Sequence, residues 1–188
     1  TKVARDFVEF PSQLLENWEF EREAMKLFSE HYETGEQIPD DFFEKFEKSR
    51  NYYSGILMMS QLSFAKIDLE IHHHFSKYSK MSLDDIDKEV LCDYSFNSSI
   101  VEQPSLLYNF SHIFDRPSGY ASCVYSYVWG REMESDAFTR FQNENILSNI
   151  IGKEFRDKIL SRGNSKSPSE LYRDFMGRDP EPKALLVR

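Results

Sequence analysis

The chain has 188 residues, with 32 acidic against 23 basic side chains and a net charge of −9. It is long enough for a domain with its own core but too acidic for a general nucleic-acid role, because neutralising phosphates needs a basic surface. No apolar run approaches the ~20 residues that span a bilayer, which argues against a membrane partner, and Cys92 and Cys123 fit ordinary buried thiols of a reducing compartment, hence a cytoplasmic setting. Gly and Pro are scarce, at 7 each, whereas Phe and Tyr number 16 and 10. That balance favours an all-α bundle of long and short helices with little or no β structure.

The first stretch runs Asp6-Phe7-Val8-Glu9-Phe10-Pro11-Ser12-Gln13-Leu14-Leu15-Glu16-Asn17-Trp18. Phe7, Phe10, Leu14 and Trp18 recur at helical spacing and should face a core. Asp6, Glu9 and Gln13 share the opposite, polar stripe. Pro11 lacks a backbone donor and presses on the carbonyl of Phe7, so a kink or a loosened turn is expected there. Acids in the first turns of a helix ordinarily sit in solvent or serve its dipole. A carboxylate held on such a helix also suits a hard or borderline cation, with a second acid to orient it. Spacing alone leaves both readings open.

A second helix is predicted over Glu21 to His31, with Ala24, Leu27 and Phe28 on its apolar face, followed by a loop at Thr34 to Pro39. From Asp40 to about Phe75, Phe42, Phe46, Tyr53, Ile56, Leu57, Phe64, Ile67, Ile71 and Phe75 fall near a 3.6-residue period. They predict one long scaffold helix, softened at Gly55, with Met58 and Met59 as core filler. His72-His73-His74 ends it. Neighbouring helical residues point about 100° apart, so the three cannot chelate one ion.

Ser82-Leu83-Asp84-Asp85 resembles a capping box and starts a helix to about Phe96. Asn97-Ser98-Ser99 breaks it, and Ser99 to Asp115 should be irregular with a short strand. From Ser118 to about Phe141, Tyr120, Tyr125 and Tyr127 cluster near Gly119 at a helix start. Phenols there fit half-buried packing. They also suit a peptide, offering an apolar face and a donor for a carbonyl or developing oxyanion. Asn145 to Ser161 reads as a further helix. Ser167-Pro168-Ser169-Glu170 is a helix start that should run to Gly177. A turn and a short apolar tail, Ala184 to Val187, close the chain.

Four blocks, in this order, resemble the thimet oligopeptidase family of zinc metallopeptidases, which includes oligopeptidase A and peptidyl-dipeptidases. They are Arg5 to Trp18, His31-Tyr32-Glu33-Thr34-Gly35-Glu36, Gly119-Tyr120 through Tyr125-Ser126-Tyr127-Val128-Trp129, and Phe175-Met176-Gly177-Arg178-Asp179-Pro180. The resemblance implies that Glu9 is the third ligand of a zinc ion, with Asp6 as the acid that orients a ligand. It implies that His112, Gly119, Tyr120, Tyr125 and Tyr127 line the cleft for short peptide substrates. Tyr127 and Tyr120 are then the phenols that stabilise the tetrahedral intermediate.

Two departures stand out: Val124 takes the place of a family tyrosine, and the segment from His112 to Gly119 is longer and less glycine-rich. The family's His-Glu-x-x-His helix is absent from this sequence, which begins with Thr1. The expectation is therefore a single C-terminal portion, residues 1–188, of a peptidase catalytic domain, partnered by a missing N-terminal part. By itself it should neither hold zinc tightly nor cleave peptides, and an apolar groove beside Phe7 and Phe10 should promote self-association. The competing expectation is a non-catalytic helical interaction domain, in which Glu9 and Tyr127 lie on unrelated surfaces.

Overall fold

The structure is a computed structural model that describes residues 2–94, 104–115 and 119–186. Among the described residues there are ten α-helices and no strand. The fold is all-α, and none of the described helices is long and apolar enough to cross a membrane. The chain divides into two compact units, residues 1–52 with 129–188, and residues 53–128.

In the first unit, α1 (Phe10–Glu16) leads through a 3-10 turn (Asn17–Phe20) to α2 (Arg22–Phe28). Residues 5–9 form turns rather than a first helical turn. Pro11 consequently lies in the opening turn of α1, where its missing N–H has no helical acceptor to lose. Of the two outcomes expected here, the chain shows loosened turns ahead of the helix rather than a kink within it. Phe7, Phe10 and Leu14 do face the core, at 4%, 0% and 0% exposure. The ring of Phe10 meets Phe155 edge-on at 5.9 Å and Tyr172 at 5.7 Å. Trp18 packs edge-on against Phe138 and Phe141, and its indole N–H donates to the Ile146 carbonyl at 2.8 Å. Phe7 and Phe10 are themselves enclosed, whereas Leu15, Leu27 and Phe28 are exposed.

The expected long rod is two helices, α3 (Asp40–Ser49) and α4 (Ser54–His73). The break falls before Tyr53, whose φ of 65° no continuous helix accepts, and not at Gly55. It coincides with the boundary between the units. Phe43 rather than Phe42 is buried in α3, and Ile67 and Ile71 are buried in α4, while Ile56, Leu57 and Phe75 are exposed. One apolar period therefore concealed two separate faces. Met58 and Met59 are half-buried and belong to neither core cluster.

The second unit adds α5 (Phe75–Tyr78) and α6 (Leu83–Val90). Ser82 caps α6 by accepting from the Asp85 N–H, as its sequence foretold. The helix ends at Val90, short of the expected Phe96; the break at 97–99 lies outside the described residues, as do residues 100–103. Residues 104–115 are irregular, as expected, with two 3-10 turns, Leu106–Tyr108 and Ser111–Ile113, and no strand among the described residues. Cys92 is exposed and Cys123 half-buried, so neither is the enclosed thiol expected.

α7 (Ser126–Glu144) is followed by α8 (Asn149–Phe155), a π turn (Arg156–Leu160), α9 (Pro168–Met176) and α10 (Lys183–Leu186). The start of α9 forms the full capping box, with Pro168 in its first turn. It stops at Gly177, whose φ of 77° supplies the left-handed residue that ends a helix at low steric cost.

Candidate active site

Glu9 stands at the N-cap of α1, with φ −90° and ψ −11°. Its carbonyl accepts the Gln13 N–H at 2.9 Å, which fixes its backbone. The Ser12 hydroxyl lies 2.8 Å from that carbonyl and 3.0 Å from Oε2 of the carboxylate. Among the described residues the carboxylate's hydrogen bond is made at Oε2, not at Oε1. The carboxylate is half-buried and oriented by one neutral donor, with an oxygen left over. Asp6 precedes the helix and Gln13 is buried at 6% exposure, so the expected polar stripe does not form. Asp6 instead lines a cavity of 440 Å³ with Trp129, Glu132, Tyr172 and Asp179.

His112, Gly119, Tyr120, Tyr125 and Tyr127 all lie in the second unit. The structure brings three of them together. The His112 ring meets Tyr120 edge-on at 6.0 Å, and Tyr120 stacks on Tyr127 at 5.9 Å with 23° between planes. The Tyr120 N–H donates to the His112 carbonyl at 3.1 Å, so backbone and rings act in concert. Tyr125 is 37% exposed. Gly119 is required by close approach: a Cβ there would lie 1.8 Å from the Asp115 carbonyl oxygen. The rest of the altered loop, residues 116–118, lies outside the described residues.

Val124 resolves differently from its sequence context. It is 4% exposed and part of the apolar core of the second unit. The Val124 side chain packs inward.

The turn that presents these tyrosines is held by a residue the sequence did not single out. Asp68 of α4 is fully buried, and its two oxygens accept the Ser122 N–H at 2.9 Å and the Val124 N–H at 3.0 Å. His72, one helical turn on, places Nδ1 3.0 Å from Oδ1 of Asp68 and 2.8 Å from the Asp68 carbonyl. Two acceptors around one ring nitrogen mean that Nδ1 carries the proton. His74 pairs with Glu70, so the histidine run divides between two separate acids. Among the described residues no group of three His, Cys, Asp or Glu side chains is placed to hold a metal.

All 188 residues match the family model described as Peptidase family M3. The chain belongs to peptidase family M3. It is 39% identical to oligopeptidase A of Haemophilus influenzae over 184 residues, 98% of this chain and 27% of that protein. Against Escherichia coli oligopeptidase A the identity is 38%, again over 98% of this chain and 27% of the relative. Dipeptidyl carboxypeptidase of E. coli is 31% identical over 99% of this chain and 27% of its own length. The M3 chain thus spans 27% of the length of each of these relatives.

Two further buried acids lie in the first unit, on α7. Glu134 is fully buried and accepts from Asn17 Nδ2 at 2.6 Å. Asn17 is also fully buried, and its Oδ1 accepts from Arg50 at 3.0 Å. Burial raises the Glu134 carboxyl above the usual range, and the Asn17 amide and Arg131 reverse this only in part. Asp136, 2% exposed, accepts both Arg178 nitrogens at 2.6 and 2.7 Å, the Tyr172 hydroxyl at 2.7 Å and the Glu181 N–H at 3.2 Å. This clamp explains Arg178 in the last of the four family-like blocks: it ties the turn after α9 to α7. The available signal was an acid pair among apolar and small residues, Met133-Glu134-Ser135-Asp136-Ala137.

Proposed function

We propose that this chain is the part of a zinc-dependent M3 peptidase that contributes one metal ligand and the tyrosine-lined wall of the cleft for short peptides. Membership of the family over the full chain carries the reading. The chemistry of Glu9 supports it, because a half-buried carboxylate with one oxygen held by Ser12 and the other available fits a zinc–oxygen contact. Glu9 fits one ligand of a set; the others, and the general base, would come from a His-Glu-x-x-His segment outside these 188 residues. Zinc, when bound, supplies Lewis-acid polarisation and a water acidic enough to attack at neutral pH.

In this reading Glu9 presents its free oxygen to the ion while the Ser12 hydroxyl fixes the carboxylate plane. Asp6 orients a ligand. Tyr120 and Tyr127 donate phenolic O–H groups to the peptide carbonyl as negative charge develops on its oxygen. His112, Gly119 and Tyr125 contact the peptide. Relatives named oligopeptidase A and dipeptidyl carboxypeptidase, 39% and 31% identical to this chain, support peptide-bond hydrolysis as the reaction class.

The test is metal content and chelator-sensitive cleavage of an internally quenched peptide by the longer protein that carries this segment. Wild type should hold about one zinc per chain and cleave; Glu9→Gln should lose both. The 188 residues alone should do neither. Full zinc and turnover in Glu9→Gln, or chelator-sensitive turnover by the 188 residues alone, would overturn the assignment.

A further inference from the structure

We propose that Asp68 is a positioning residue for Tyr120, acting through the backbone of the turn between them. The inference rests on the reading that Tyr120 serves the peptide cleft.

Tyr127 lies on α7, which begins at Ser126, so helical hydrogen bonds hold its backbone. Tyr120 lies ahead of that helix. Its aim depends on residues 121–125, a turn that contains Ser122 at φ 57°. A non-glycine residue in the left-handed region persists only where its surroundings over-determine it. Asp68 does so: one carboxylate takes the N–H groups of Ser122 and Val124, on either side of Cys123. Within the turn the Cys123 N–H donates to the Tyr120 carbonyl at 2.8 Å, which passes the constraint back to Tyr120. Val124 is pinned a second time by its side chain in the core.

The carboxylate is suited to the task because it only accepts. Both of its oxygens face N–H donors, and His72 adds a third donor at the one-quarter-exposed edge of the site, with 23% of its side chain open. An amide cannot replace it, because the Asn NH₂ would face one of the two backbone N–H groups donor to donor.

The experiment uses the full peptidase and has two independent readouts. The first is hydrogen exchange at the Ser122 and Val124 amides. In wild type both should be protected although they lie outside any helix, and Asp68→Asn should speed their exchange about 10- to 100-fold, the weight of a lost charge-assisted bond. If these amides exchange in wild type as fast as open chain, the anchor does not exist. This wild-type measurement stands even where the variant fails to fold.

The second readout is a double-mutant cycle on peptide cleavage. Asp68→Asn should lower kcat roughly 10- to 100-fold by misplacing a reacting group. In a Tyr120→Phe background it should lower kcat little further, because the phenol it positions is gone. A general loss of folded enzyme would multiply through both backgrounds, and that result would overturn the proposal, as would an Asp68→Asn enzyme as fast as wild type. If wild type itself cleaves no peptide, the functional reading fails, and the exchange data still decide whether the anchor is real.

Discussion

Removing Arg178 should cost more than removing the charge it pairs with. Asp136 is 2% exposed, whereas the Arg178 side chain is 39% exposed. In Arg178→Met a buried carboxylate loses two short charge-assisted bonds and keeps only the Tyr172 hydroxyl and the Glu181 N–H. Stranding one partner of a buried pair costs about 3–5 kcal/mol; the solvent reaching Arg178 screens part of the wild-type attraction, which puts the loss near ~3 kcal/mol. In Asp136→Asn the guanidinium turns to water and the amide oxygen still accepts from Tyr172, so the loss is about 1–2 kcal/mol. For a chain of this size each kcal/mol moves the midpoint about 2–4 °C, hence ~6–12 °C for Arg178→Met and ~2–8 °C for Asp136→Asn. Thermal melts followed by far-UV circular dichroism at neutral pH read both. A pH series adds a sign. Burial alone would raise the Asp136 carboxyl, but hydrogen bonds from Arg178 and Tyr172 outweigh it and hold it below the usual range. A depressed acid stabilises the fold above its unfolded pKa and loses that contribution as pH falls through the folded value. The gap between wild type and Arg178→Met should therefore narrow below about pH 4. If Asp136→Asn melts at or below Arg178→Met, or the gap widens in acid, the clamp is not organised around a buried charge.

Glu134 predicts the opposite slope. Its carboxyl is raised, chiefly by burial, so its stabilising contribution is complete below the unfolded pKa and declines as pH rises toward the folded one. Glu134→Gln keeps an acceptor for Asn17 and should flatten the loss of midpoint as pH rises above about 4; an unchanged slope would exclude Glu134 as its source. Gly119→Ala should force the turn away from Asp115, since the added Cβ would sit 1.8 Å from a backbone oxygen. The expected cost is about 1–3 kcal/mol, as for overpacking, with a raised KM for peptide in the full enzyme; wild-type KM and midpoint would show that the contact gives way freely.

Local signals in the sequence carried far. The N-cap at Ser82 and the full capping box at Ser167 formed as their residue patterns demanded, because a cap closes within four residues and needs no distant partner. The core face of α1 was legible for the same reason, through Phe7, Phe10 and Leu14. The family was legible because four motifs occur in order, and the full-length match agrees. The rod from Asp40 to Phe75 was not legible. A 3.6-residue period reports that residues share a face, not what that face enters, and here Ile67 enters the core of the second unit whereas Phe43 is buried in the first. Val124 could be compared only as a letter against a tyrosine; its inward packing shows that the letter does not stand at the surface.

The sequence by itself determined helix content, the capped starts, the apolar stripe of α1 and the family. Tertiary structure alone decided where the buried charges go. Asp68 finds its donors 54 and 56 residues away, and Asp136 finds Arg178 42 residues away. An acid on a helix reads the same in sequence whether water or a backbone N–H satisfies it. Only chain closure, which excludes water and brings distant donors within hydrogen-bond reach, separates the two.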